Sequence, residues 1–159
     1  MIETDLHKNI VQTAKTLNVP LHLDHLPTTP PGLEALAEKK IVLVDDGLDV
    51  LAAFLAPLMV ATEGEAGFVL QNTQSKDQTV EEILSKDPDV VLLDEYLRGF
   101  RGHLLIEPLH QRKPGLICIG FSNAPSAESI FREQKAGFVL KETEDPWRTL
   151  AALARAIGT

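Results

Sequence analysis

Five polar residues stand at the ends of apolar runs. Asp45 and Asp46 follow Ile41–Val44, Asp94 follows Val90–Leu93, Ser122 comes shortly after Leu116–Ile119, and Lys141 follows Phe138–Leu140. In an open parallel sheet, ligands bind beyond the carboxyl ends of the strands. If these runs are strands of one such sheet, all five residues meet at one edge. Three carboxylates there repel one another, at a cost of about 4 kcal/mol for two charges ~4 Å apart at an effective dielectric of 20. A hard divalent cation removes the conflict, and oxygen ligands with retained waters favour Mg²⁺. With the cation and Lys141 neutralising equatorial oxygens, a carboxylate becomes competent as a nucleophile toward phosphorus and yields an acyl phosphate.

The elements that must position these residues are legible from the pattern. The four runs above and Phe68–Leu70 are unalternated and mostly β-branched or aromatic, as strands buried on both faces are. Their spacing is too long for hairpins and fits helical crossovers. Asp46 is placed to cap a helix carrying Leu48, Leu51, Phe54 and Leu55, with Pro57 limiting its length. Thr79 and Glu82 have capping-box spacing ahead of Ile83 and Leu84, and Pro88 closes that segment. A third helix starts near Gly102, with Pro108 kinking or shortening it. Ser126 caps a fourth, with Gly137 as its left-handed stop. Asp145-Pro146 opens a last helix with Trp147, Leu150, Ala151, Ala154 and Ile157 on one face. Strands alternating with helices make a doubly wound α/β sheet.

Residues 1–39 read as an N-terminal arm and Pro-rich linker ahead of a domain spanning 40–159. The arm carries an amphipathic stretch (Ile2, Leu6, Ile10, Leu17) and the segment Pro27–Gly32. A helix of this length is marginal alone in water, so the arm is expected to mediate self-association, as in a homodimer, or partner binding, with permanent packing on its own domain as the plainer alternative. The whole chain has 159 residues, 44% of them apolar, and a net charge of −8. That charge argues against nucleic-acid binding, which draws on Lys and Arg. A single cysteine, Cys118, excludes an intrachain disulfide, suits a reducing cytoplasm and reads as an inert core residue. The start lacks a basic region followed by an apolar run, and Leu48–Ala61 is too short and too interrupted to span a membrane. The expected location is cytoplasmic, with no membrane partner.

At this point a family becomes recognisable. Lys40–Asp46 resembles the first strand and acidic pair of response-regulator receiver domains, and Asp89–Asp94 resembles their phosphoacceptor strand. Leu97, Gly99 and Gly102 fall near the family's usual D-x-x-M-P-x-x-x-G loop. Ile119–Ser122 is similar to the strand ending in a small hydroxyl residue, and Ala136–Lys141 to the strand ending in lysine. The resemblance runs from Lys40 to about Ile157, and five pieces in register are specific where each alone is weak. It implies a five-stranded parallel sheet in flavodoxin-like order 2-1-3-4-5. It further implies phosphorylation of Asp94, Mg²⁺ held by Asp45, Asp46, Asp94 and the backbone carbonyl of Tyr96, and pairing of Lys141 with the phosphoryl group. Ser122 and Phe138 stand at the switch positions. The implied donor is a sensor histidine kinase or a histidine phosphotransfer protein, and output to a further protein passes through protein contacts. Two residues depart from the pattern: Arg98 and Glu142 stand where the family has prolines, so a trans peptide is expected after Lys141.

Taken singly, Asp46 is a helix cap, Asp94 a turn former, Lys141 a solvated strand end and Phe138 a core residue; only jointly do they outweigh those readings. His22 and His25 lack a second ligand cluster for a metal, and the arm is too short to make His7 a phosphorelay histidine. The alternative function is a degenerate receiver that binds partners without phosphorylation. An aspartate-nucleophile phosphatase is disfavoured, since Asp45-Asp46-Gly47-Leu48-Asp49 resembles D-x-D-x-T poorly and no cap-sized insertion exists. The expectation is a regulatory domain, not an enzyme with turnover.

Overall fold

The five apolar runs become five parallel strands in the computed structural model, which describes residues 3–158. They are β1 (Ile41–Asp45), β2 (Gly67–Leu70), β3 (Val90–Leu93), β4 (Ile117–Ser122) and β5 (Gly137–Leu140), in spatial order β2-β1-β3-β4-β5. The three inner strands β1, β3 and β4 are buried along almost their whole length. Helices therefore cover both faces of the sheet, and two hydrophobic clusters form, one per face.

The first cluster gathers Leu51, Phe54, Leu55 and Leu58 of α2 (Leu48–Ala61) with Leu150, Leu153 and Ala154 of α6 (Pro146–Gly158). Phe54 meets Phe121 of β4 edge to face, with ring centres 5.2 Å apart. The second cluster lies under α3 (Lys76–Ser85), α4 (Ile106–Arg112) and α5 (Ala127–Glu133) and centres on Val91, Leu93, Leu109 and Phe131. Phe131 lies directly on β4 because residue 120 is glycine; a Cβ there would sit 2.4 Å from the ring.

The helix α1 (Glu3–Leu17) joins the first cluster. Leu6, Ile10 and Ala14 are buried, and so are Val19, Leu33 and Leu36 of the following segment. His7 Nε2 lies 3.0 Å from the carbonyl of Leu23, tying helix to linker. The expectation of an arm held out for self-association or a partner is thereby corrected: the apolar stripe is used up on its own domain, the plainer alternative; Ile2 lies outside the described residues.

Several boundaries differ from expectation, each for a local reason. Asp46 does not cap α2: the cap position belongs to Gly47, whose N–H donates to Asp45 Oδ1 at 2.9 Å. Pro57 does not limit α2, which runs on to Ala61 because Leu58, Met59 and Ala61 are buried, offsetting the ~3 kcal/mol that an interior proline costs. The capping box of α3 is Ser75 with Gln78, not Thr79 with Glu82. Thr79 sits inside the helix and donates its hydroxyl to the Ser75 carbonyl at 2.8 Å. Ser126 occupies the cap position of α5 without a side-chain capping bond, and the left-handed stop after that helix is Lys135 (φ 60°), not Gly137, which opens β5. Asp145 does cap α6, accepting from the Arg148 N–H at 3.3 Å. Pro108 lies in the first turn of α4, behind a 3₁₀ turn at Gly102–Leu105.

Candidate functional site

Strand register brings the polar residues together. Val44 pairs with Leu93 and Ser122 with Leu140, so Asp45, Asp94, Ser122 and Lys141 end up at the carboxyl edge. Backbone bonds continue the ladder there: Asp94 N–H donates to the Val44 carbonyl at 3.4 Å, and Lys141 N–H to the Ser122 carbonyl at 2.9 Å. Asp45 and Ser122 are the last residues of their strands, and both are buried. Asp46, freed from capping, presents its carboxylate to the same place: one oxygen from each of Asp45, Asp46 and Asp94 lies within 4.8 Å of the others.

Lys141 supplies the cation that this edge holds by itself. Its Nζ lies 2.7 Å from Asp45 and 3.6 Å from Asp94, and the ammonium and both carboxylates are almost wholly buried. One ammonium does not neutralise three carboxylates. Burial pushes the Asp45 carboxyl up to about 6, outweighing the attraction of Lys141, and Asp94 adds to the rise. Asp94 is raised too, first by burial and then by Asp46, while Lys141, the Tyr96 N–H and the Ser122 hydroxyl pull the other way. With Asp45 and Asp94 both raised despite the pull of Lys141, this edge is short of positive charge. All its side-chain donors are hard oxygens, which fits Mg²⁺ or a similar small divalent cation.

The loop after Asp94 is held by contacts that the sequence does not announce. Gly102 crosses the strand end so closely that a Cβ would lie 1.8 Å from the Asp94 carbonyl oxygen. Gln71, fully buried after β2, accepts from the Arg98 N–H and donates to the Arg98 carbonyl, both at 2.8 Å. A proline at 98 has no N–H to give, so the departure at Arg98 is matched by a partner at Gln71. Glu95 is fully buried and faces His103. Tyr96 is exposed, with the Arg101 guanidinium 4.7 Å above its ring centre. Phe138 is half-buried and tilts against Phe131, with centres 6.1 Å apart. The peptide bonds among the described residues are trans, including Lys141–Glu142. Cys118 is buried, and burial pushes its thiol up to about 12, which makes it unreactive. His22 lies beside Asp24 on the exposed linker, away from the acidic cluster.

No family model matches the sequence, and no curated protein is similar enough to match it. Solved structures do match. The CheY-like response regulator receiver domain protein of Methanospirillum hungatei is 21% identical, with a TM-score of 0.55 over 76% of this chain and 96% of that one. The BeF₃-activated receiver domain of nitrogen regulatory protein C is 24% identical, with a TM-score of 0.57 over 77% of this chain and 96% of that one. The response regulator TrrA of Thermotoga maritima, in complex with Mg²⁺-BeF, is 20% identical, with a TM-score of 0.53 over 67% and 90%. The chain has the fold of response-regulator receiver domains. Against that receiver fold, the order β2-β1-β3-β4-β5 is the one the sequence resemblance implies, and α1 is present at its amino end.

Proposed function

We propose that this protein is a phosphorylatable receiver in a two-component or phosphorelay system and accepts a phosphoryl group on Asp94. The observation that carries this reading is the convergence of Asp45, Asp46 and Asp94 within 4.8 Å, with Lys141 Nζ between Asp45 and Asp94. Of the three receivers described above, two were solved with a beryllofluoride group, and one of these also with Mg²⁺.

Asp45, Asp46, Asp94 and the carbonyl of Tyr96 would hold the magnesium, which supplies charge neutralisation for the transferring group. The donor would be a phosphohistidine on a sensor histidine kinase or a histidine phosphotransfer protein. An Asp94 carboxylate oxygen attacks phosphorus, the phosphorus–nitrogen bond breaks, and the imidazole leaves with the bonding pair and takes up a proton. Lys141 moves from Asp45 to the new phosphoryl oxygens, a short shift given its distances to both aspartates. Ser122, whose hydroxyl accepts from the Ala124 N–H at 3.3 Å, would turn to donate to the phosphoryl group. Phe138, resting on Phe131, would follow and alter the surface of β5. Output then passes through protein contacts, since a net charge of −8 disfavours nucleic acid, and the proposed setting is the cytoplasm. Among the described residues no helix is long and apolar enough to cross a membrane.

Intact mass after incubation with acetyl phosphate and Mg²⁺ tests the assignment. The wild-type chain gains one phosphoryl group and Asp94→Asn gains none. Equal labelling of the two proteins would remove Asp94 from its role, and absence of label on both would leave a receiver that works without phosphorylation.

A further inference from the structure

Glu95 is a carboxylate buried to zero exposure one residue beyond Asp94, yet it takes no part in the acidic cluster. Its two oxygens lie 2.9 and 2.8 Å from His103 Nδ1, and Oε1 also accepts from the His103 backbone N–H at 2.9 Å. The Gly102 N–H donates to the Glu95 carbonyl at 2.9 Å. Between these ends Tyr96 and Arg101 face each other in an isolated antiparallel bridge. Residues 95–103 therefore form a small hairpin whose base is closed by one buried carboxylate and one imidazole. A buried carboxylate is costly unless it is paired and hydrogen-bonded. Here every bond that Glu95 makes is spent on joining the end of β3 to the 3₁₀ turn that leads into α4.

We propose that Glu95 and His103 are positioning residues that hold the hairpin so that the Tyr96 carbonyl is ready for the cation, and thereby set the affinity for Mg²⁺. The inference rests on the reading of the site as a magnesium-dependent phosphoacceptor. The hairpin base is one peptide away from both Asp94 and Tyr96, so a shift there moves a side-chain ligand and a main-chain ligand together. Groups that orient metal ligands without touching the metal typically control affinity ~10- to ~100-fold.

Calorimetric titration of the full chain with Mg²⁺, paired with thermal melting, separates positioning from simple burial of charge. His103→Leu is expected to weaken Mg²⁺ binding about tenfold and to lower Tm. The double variant Glu95→Leu/His103→Leu replaces a hydrogen-bonded polar pair with an apolar one. It should recover much of the Tm, while Mg²⁺ binding stays about tenfold weak. His103→Gln, which keeps an amide donor, should regain part of the affinity. Wild-type affinity in either His103→Leu or the double variant overturns the proposal, because the pair would then only satisfy a buried charge. Absence of Mg²⁺ binding by the wild-type chain overturns it as well. A wild-type chain that binds Mg²⁺ with this pattern of variants but takes no label from acetyl phosphate keeps the positioning role and defeats the phosphoacceptor reading instead.

Discussion

Asp45 shows at the residue scale how burial and charge set the state of the site. Its carboxyl is pushed up from 3.8 to about 6 because desolvation outweighs the nearby ammonium of Lys141. Between those values the folded chain keeps a proton that the unfolded chain has lost. The contribution of Asp45 to stability in metal-free buffer is therefore highest at the acid end of the window and falls as pH rises through it, then levels off above about 6. A tenfold difference in proton affinity between the folded and unfolded chains is worth about 1.4 kcal/mol. Asp45 accordingly accounts for a fall of roughly 3 kcal/mol, and the raised Asp94 acts in the same direction. Mg²⁺ held as proposed would compete with that proton. The rise in Tm produced by Mg²⁺ should thus be clearly larger near pH 7.5 than near roughly pH 5, as differential scanning calorimetry at the two values would register. An equal rise at both would mean that the cation does not replace a proton on Asp45.

At the scale of elements, the loop after β3 lacks a proline and is braced by a side chain from the end of β2. Gln71 and Arg98 are 27 positions apart in the chain and exchange two hydrogen bonds. Removing one partner of a buried bond leaves the other unsatisfied, at about 1–3 kcal/mol. Gln71→Leu and Arg98→Pro should each destabilise by that order, and the double variant by less than their sum. The expected coupling is roughly 1 kcal/mol, read from urea unfolding of the four proteins. Additivity within about 0.5 kcal/mol would show that the proline position and Gln71 are independent. The same scale accounts for the misplaced caps. Ser75-x-x-Gln78 and Thr79-x-x-Glu82 are both sound capping signals; the helix takes the first and leaves Thr79 buried within it.

For the molecule as a whole, α1 and the segment to Leu36 complete the core on the α2–α6 face. Ile10 is fully buried there, so Ile10→Ala should cost about 3 kcal/mol and lower Tm by roughly 10 °C. A chain starting at Glu38 should melt lower still. A truncated chain as stable as the full one would mean that the helix rests on the domain without supporting it.

The amino-acid sequence by itself determined the five strands and the residues at their ends. Unalternated apolar runs separated by crossover-length segments have few ways to be buried other than as parallel strands between helices, and parallel strands carry their terminal residues to one edge. Asp45, Asp46, Asp94, Ser122 and Lys141 were legible for that reason. What only the tertiary structure decided is which polar groups pair once buried. Lys141 on Asp45, Gln71 on Arg98 and Glu95 on His103 join residues 96, 27 and 8 positions apart. Glu95 and Gln71 look in the sequence like ordinary solvated residues. They became structural because long-range packing removed water from around them, and a polar group without water must find a partner within hydrogen-bond distance.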